Sequence, residues 1–219
     1  MKFDYPEIQT TEAFNLRWYL INDELEFPSI TSMLGATQSL EKKASLESWY
    51  KSLGKEKAEH ITQEAADHGT SVHLLIEKSL KGEEINFEEF SEKNINAFKS
   101  VKLYLKRIDE VWGQEVALFS KELRIAGRCD CVGTYKGIPS IIDFKTSIRV
   151  KTEDRIEDYK YQLAFYAQAH NEMFGTNITN GVIIMATNGG FPLEFYVDLN
   201  KYFIKLKNRV EAFYEKLLG

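Results

Sequence analysis

The sequence predicts a mixed α/β fold with a helical section inserted early in the chain. Three stretches predict it. "QEVALFSKELRIAGRCDCVGTYKGIPSIIDFKTS" holds three β-prone runs joined by short turns, a meander. "GVIIMATNGGFPLEFYVDL" adds two more runs around Asn188-Gly189-Gly190, after a stretch of helical period from about Asp154 to Phe174. From about Leu40 to Arg107 the apolar residues recur instead at helical spacing.

In chain order, residues 14–31 read as two short strands around Asn22-Asp23, ending in a Pro28-Ser29-Ile30-Thr31 segment that suits a helix cap. The helical section breaks near Gly82 and again around Asn86 to Glu89. Its most informative helix is "TQEAADHGTSVHLLIEKSL", residues 62–80. Within the meander, turns are expected at Ser120-Lys121 and at Lys136-Gly137, and Lys201 to Leu218 closes the chain as a helix. With no repeat, low-complexity tract or linker in view, residues 1–219 are expected to form one domain. The helical section would occupy about 40–107, the sheet core about 112–199 and the last helix 200–219.

With 219 residues, 43% hydrophobic and 13% aromatic, the chain has the material for one substantial core. Its longest apolar runs, such as Val182 to Ala186, fall far short of the roughly 20 residues a membrane helix needs. "MKFDYPEIQT" has neither the apolar core of a secretory signal nor the basic amphipathic character of a transit peptide, so a cytoplasmic protein is expected, in the host cytoplasm if phage-encoded. Cys129 and Cys131, alternate residues on one strand, point to one face at a spacing unsuited to a mutual disulfide, which fits a reducing compartment. The net charge of −5 argues against polyanion binding over the whole surface and leaves only a local basic site. Lysines do cluster at 42, 43, 51, 55 and 57, and again at 99, 102 and 106 beside Arg107, as a solvated helix face also would.

The chemistry concentrates in the hairpin around Lys136-Gly137. A two-residue turn there sets Asp130 opposite Asp143 and Arg128 opposite Lys145, all on one face, with Cys129, Cys131, Ile142 and Phe144 on an apolar one. Opposed carboxylates repel unless one is protonated or a cation lies between them. Hard divalent ions favour carboxylate oxygens, and Lys145 on the same face would hold a charge beside them. A surface ladder of Asp and Lys ion pairs is the alternative, and Asp-x-Lys alone does not decide. On the helix at 62–80, His73 and Glu77 share a face with Gly69, whose missing side chain would allow close approach to the sheet. Gln162 and Tyr166 form a similar pair, with Tyr159 on the same side.

"GRCDCV" and "IIDFKTS", with Glu115 before them in "QEVALF" and "YQLAFY" after, resemble the core of the PD-(D/E)XK nucleases, specifically their RecB-like exonuclease branch. "HGTSVHLLIE" resembles that branch's preceding helix through Gly69, His73 and Glu77. "FPSITSML" and "LESWYKSLG" are similar to the leading segment of the mitochondrial genome maintenance exonuclease group and its phage relatives. The resemblance runs from about Phe27 to Asp198, over four motifs in order. It implies a restriction-endonuclease-like core, a central mixed sheet flanked by helices, with the helical section covering the active site. It further implies Mg²⁺ or Mn²⁺ held by His73, Asp130, Asp143 and the backbone carbonyl of Phe144, with Lys145 as the catalytic lysine. Gln162 and Tyr166 would place the phosphate and the lysine. Glu115 matches an acidic position, on the active face but a few residues along the strand from Asp130. The third motif departs in carrying Asp rather than Glu before Phe144-Lys145, which the branch allows. Two cysteines cannot supply the four of its iron-sulfur members, so no such cluster is expected.

The activity so implied is exonucleolytic hydrolysis of single-stranded DNA ends, in replication, recombination, repair or phage DNA processing, alongside proteins of those pathways. Trp49 with Lys42, Lys43 and Lys51 would line a passage for the strand. The alternatives are a catalytically silent DNA-binding or scaffolding protein on the same fold and a structure-specific endonuclease of the same superfamily.

Overall fold

The computed structural model describes residues 2–147, 151–187 and 191–218. Its first elements are β1 (Thr10–Ala13), β2 (Leu16–Asn22) and β3 (Leu25–Pro28), an antiparallel three-stranded sheet. β2 and β3 are the two strands expected around Asn22-Asp23. β1 is an addition whose four residues are all exposed, so it has no apolar alternation to betray it. Ser29 caps α1 (Ile30–Ala36), its hydroxyl accepting from the Ser32 amide. α2 (Leu40–Leu53) and α3 (Lys55–Lys81) follow, separated at Gly54. α3 stops at the expected break, where Gly82 supplies a left-handed φ of +70°. After a one-turn 3₁₀ segment at Phe87–Glu89, α4 (Glu92–Leu105) completes the helical section.

The meander becomes β4 (Ile108–Ser120), β5 (Ile125–Tyr135) and β6 (Ile138–Ser147). A 3₁₀ turn at Glu153–Ile156 and α5 (Glu157–Phe174) carry the chain across to β7 (Asn180–Thr187), which pairs parallel with β6, the connection such a crossover requires. β8 (Leu193–Asp198) returns antiparallel, giving the order β4-β5-β6-β7-β8, and α6 (Asn200–Leu218) ends the chain. The turn expected at Asn188-Gly189-Gly190 lies outside the described residues. Among those described, no helix is long and apolar enough to cross a membrane.

β7 is buried from Gly181 to Thr187, and its unbroken apolar run is what a central strand covered on both faces demands. On one face, Val132, Ile141, Ile183 and Met185 pack under α5 and α6; on the other, Cys131, Ile142, Phe144, Val182 and Ile184 meet α3 and α4. Each such side chain contributes about 1.5–3 kcal/mol by leaving water. The two cysteines do not share a face as expected. Both are buried free thiols, but Cys129 packs with the α5 side and Cys131 with the α3 side. Glu115, at φ +50° between the pairs Gln114–Cys131 and Val116–Cys129, interrupts the strict alternation there.

Candidate active site

The β5–β6 ladder has the expected register, from Tyr135 opposite Ile138 to Cys131 opposite Ile142, around Lys136-Gly137 with both φ angles positive. It ends one residue short of the anticipated carboxylate pair. There the Asp130 carboxylate itself accepts the Phe144 amide at 2.8 Å, so Asp130 and Asp143, like Arg128 and Lys145, are not ladder partners. Charge repulsion is met by separate partners instead of by strict opposition.

Glu115 lies closer to Asp130 than expected. The β4–β5 connection is a four-residue turn, Lys121 to Arg124, with Arg124 at φ +53° and Ser120 paired with Ile125. That register sets Glu115 on β4 between Gln114 and Val116, the partners of Cys131 and Cys129 on either side of Asp130. His73 reaches the same spot from α3. Its Nε2 donates to the Phe144 carbonyl at 2.8 Å, which leaves Nδ1 turned toward Glu115 and Asp130, at 3.9 and 3.8 Å. One donor atom from each of His73, Glu115 and Asp130 falls within 4.8 Å of the others, an arrangement able to hold a metal ion. The Phe144 carbonyl is engaged by His73. Burial pushes the imidazole pKa down, but the neighbouring Glu115 carboxylate and the Asp130 charge outweigh it and the net shift is upward.

Asp143 is 1% exposed. Its Oδ1 accepts from Lys145 Nζ at 2.6 Å, while Oδ2 is buried with no hydrogen-bond partner. An orphaned carboxylate oxygen is costly unless something else satisfies it. Burial pushes the Asp143 carboxyl up to about 6 against the pull of Lys145. Burial works against the Lys145 charge too, yet Asp143 and Asp130 hold its pKa above the usual range. The Tyr159 ring lies 5.1 Å from Lys145 Nζ, and its hydroxyl accepts from Lys151 at 2.6 Å. The three clustered ligand atoms, an imidazole nitrogen and two carboxylate oxygens, suit a hard divalent ion; Asp143 falls outside that group.

Tyr166 is buried and its hydroxyl donates to the Arg128 carbonyl at 2.6 Å, with Gln162 Nε2 3.3 Å from the same hydroxyl. It therefore pins β5 beside the acidic cluster. Gly127 makes room: a methyl group there would sit 3.0–3.1 Å from the Tyr166 ring and hydroxyl and 3.0 Å from Ile30. Gly69 has no comparable role, since a Cβ would meet only Thr146 Oγ1 at 3.6 Å. Gly69, Thr70, His73, Glu77, Glu115 and Arg128 line a cavity of about 600 Å³ in front of the cluster, and Glu77 is paired with Lys81. Sequence placed Arg128 on this face only as the residue opposite Lys145 and gave it no role; its place two residues before Asp130 was the available signal.

α2 buries none of its residues. Trp49 is half-buried, edge-on to Tyr50, and borders a second cavity of about 410 Å³ with Lys42, Ser45 and Leu46. Lys42 is drawn into an ion pair with Asp158 on α5, whereas Lys51 is exposed and Lys43 half-exposed.

Residues 43–188, two-thirds of the chain and all of this constellation, match the family profile of the PD-(D/E)XK nuclease superfamily. The chain belongs to that superfamily. Mitochondrial genome maintenance exonuclease 1 of Xenopus tropicalis is 28% identical over 195 residues, covering 82% of this chain and 56% of that protein. The Mus musculus protein of the same name is 28% identical over 200 residues, covering 86% and 59%. The chain thus spans little more than half the length of these curated relatives. A solved structure from Eubacterium rectale aligns with a TM-score of 0.47 at 16% identity, over 70% of this chain and 66% of that one. The five-stranded mixed sheet with helices on both faces is the fold of the PD-(D/E)XK superfamily in this chain.

Proposed function

We propose that the protein is a metal-dependent deoxyribonuclease that hydrolyses phosphodiester bonds from single-stranded DNA ends. The observation that carries this reading is the His73–Glu115–Asp130 cluster, with the buried, unpartnered Oδ2 of Asp143 on the neighbouring strand, in a member of a nuclease superfamily. His73, Glu115, Asp130 and Asp143 would hold Mg²⁺ or Mn²⁺, which when bound polarises a phosphate and lowers the pKa of water. His73 keeps Nδ1 free for that task because Nε2 donates to Phe144. Lys145, engaged as an ammonium with Asp143, neutralises the charge that builds on the phosphoryl oxygens. Tyr166, through the Arg128 carbonyl, and Gln162 beside it hold the strand bearing Asp130 in place. α2, unburied and carrying Trp49, Lys43 and Lys51, covers the approach so that a strand enters end first. The relatives named as exonucleases support that polarity of access.

The test is degradation of labelled DNA with Mg²⁺, Mn²⁺ or EDTA. Linear single strands should be consumed in a divalent-dependent way, with blunt duplex largely spared and circular single strands resistant. Circles cut as fast as linear strands would mean an open endonuclease site, and no cleavage of any substrate would mean a silent binding protein.

A further inference from the structure

We infer that Arg128 is a phosphate-binding residue that grips the substrate strand beside the scissile linkage. The inference rests on the nuclease reading and adds to it a second contact with DNA. Arg128 is exposed on β5 and borders the 600 Å³ cavity that also holds His73 and Glu115. Its NH1 donates to the Glu115 carbonyl at 2.9 Å, and its own carbonyl accepts from Tyr166 at 2.6 Å. Both ends of the residue are therefore fixed. The Glu115 carbonyl is presented by a backbone held at φ +50°, a conformation costing a non-glycine residue on the order of 1 kcal/mol.

Among the described residues no carboxylate lies within ion-pair distance of Arg128, although Glu77 and Glu115 line the same cavity. An oriented guanidinium without an ionic partner, beside a candidate hydrolytic centre, presents its remaining planar donors to an outside anion. That fork matches the non-bridging oxygens of a phosphodiester. A structural brace would need only the bond to Glu115.

The test is equilibrium binding of a fluorescent single-stranded oligonucleotide in EDTA, where no metal-dependent cleavage occurs, across a salt series. Arg128→Gln should bind about tenfold more weakly, with a salt slope shallower by about 0.7, as for one lost phosphate on a single strand. Arg128→Lys should recover the slope but only part of the affinity. In a scan of single neutral methylphosphonate linkages, one position should weaken binding to the wild type and leave Arg128→Gln unaffected. Wild-type affinity and slope in Arg128→Gln, or a methylphosphonate penalty that persists in it, would overturn the assignment to Arg128 while the nuclease reading stands. Loss of melting temperature with unchanged binding would identify a brace, overturning it equally. Failure of the wild type both to bind and, with Mg²⁺, to cleave would remove the nuclease reading itself.

Discussion

On the proposed reading, Asp143 would couple chemistry to stability. With one oxygen on Lys145 and the other buried without a partner, it is a cost to the metal-free fold that a bound cation would remove. Mn²⁺ at about a hundred times its Kd should stabilise the wild type by about 2.7 kcal/mol, roughly 5–10 °C in a chain of this size. Asp143→Asn should abolish that rise and lower cleavage by roughly 10²-fold or more, read by thermal shift and by single-turnover kinetics. A full Mn²⁺ shift in the variant would remove Asp143 from the site. His170 offers a second prediction. It is fully buried between Tyr5 and Thr176, and burial lowers its pKa to about 4. Because the unfolded imidazole titrates near 6.5, the unfolded chain binds more protons between the two values. This contribution is complete above pH 6.5 and is lost as pH falls toward 4, by about 2 kcal/mol at pH 5. His170→Gln should narrow the difference in melting temperature between pH 7.5 and pH 5, and an unchanged difference would contradict the buried neutral ring.

Among the elements, α2 depends on contacts at its rim. It buries no side chain, and Lys42 ties it to Asp158, which also binds Arg209 at 2.7 Å. Burial favours protonation of Asp158, but the two cations hold its pKa below the usual range. Asp158→Ala should cost about 1 kcal/mol and speed amide exchange in α2 well beyond that in α3, where Leu75 and Ile76 are buried. Equal exchange in the two helices would refute the tether. The elements also show what could be read in advance. The β5–β6 register was legible from Tyr135 back to Cys131, because a positive-φ pair at Lys136-Gly137 fixes it, but not at Asp130, where the ladder ends. Glu115 was misplaced because the preceding turn, Lys121 to Arg124, contains no glycine or asparagine to announce the left-handed Arg124.

For the whole molecule, the residues by themselves marked one hairpin and two helix faces, and only the family resemblance implied that His73, Asp130 and Asp143 would meet. His73 and Phe144 are 71 positions apart, joined by one hydrogen bond. The centre also depends on β7: Asp143 lies opposite Ile183 in the parallel β6–β7 ladder, reached only after α5 has crossed the sheet. Its carboxylate cannot become the buried group described above until residues as far as Thr187 have joined. During translation, then, a ribosome-bound chain that has exposed all four acidic and imidazole groups still lacks the strand that encloses them. The burial of Asp143 is thus a late event in synthesis, completed only after the polypeptide has emerged well beyond Asp143 itself.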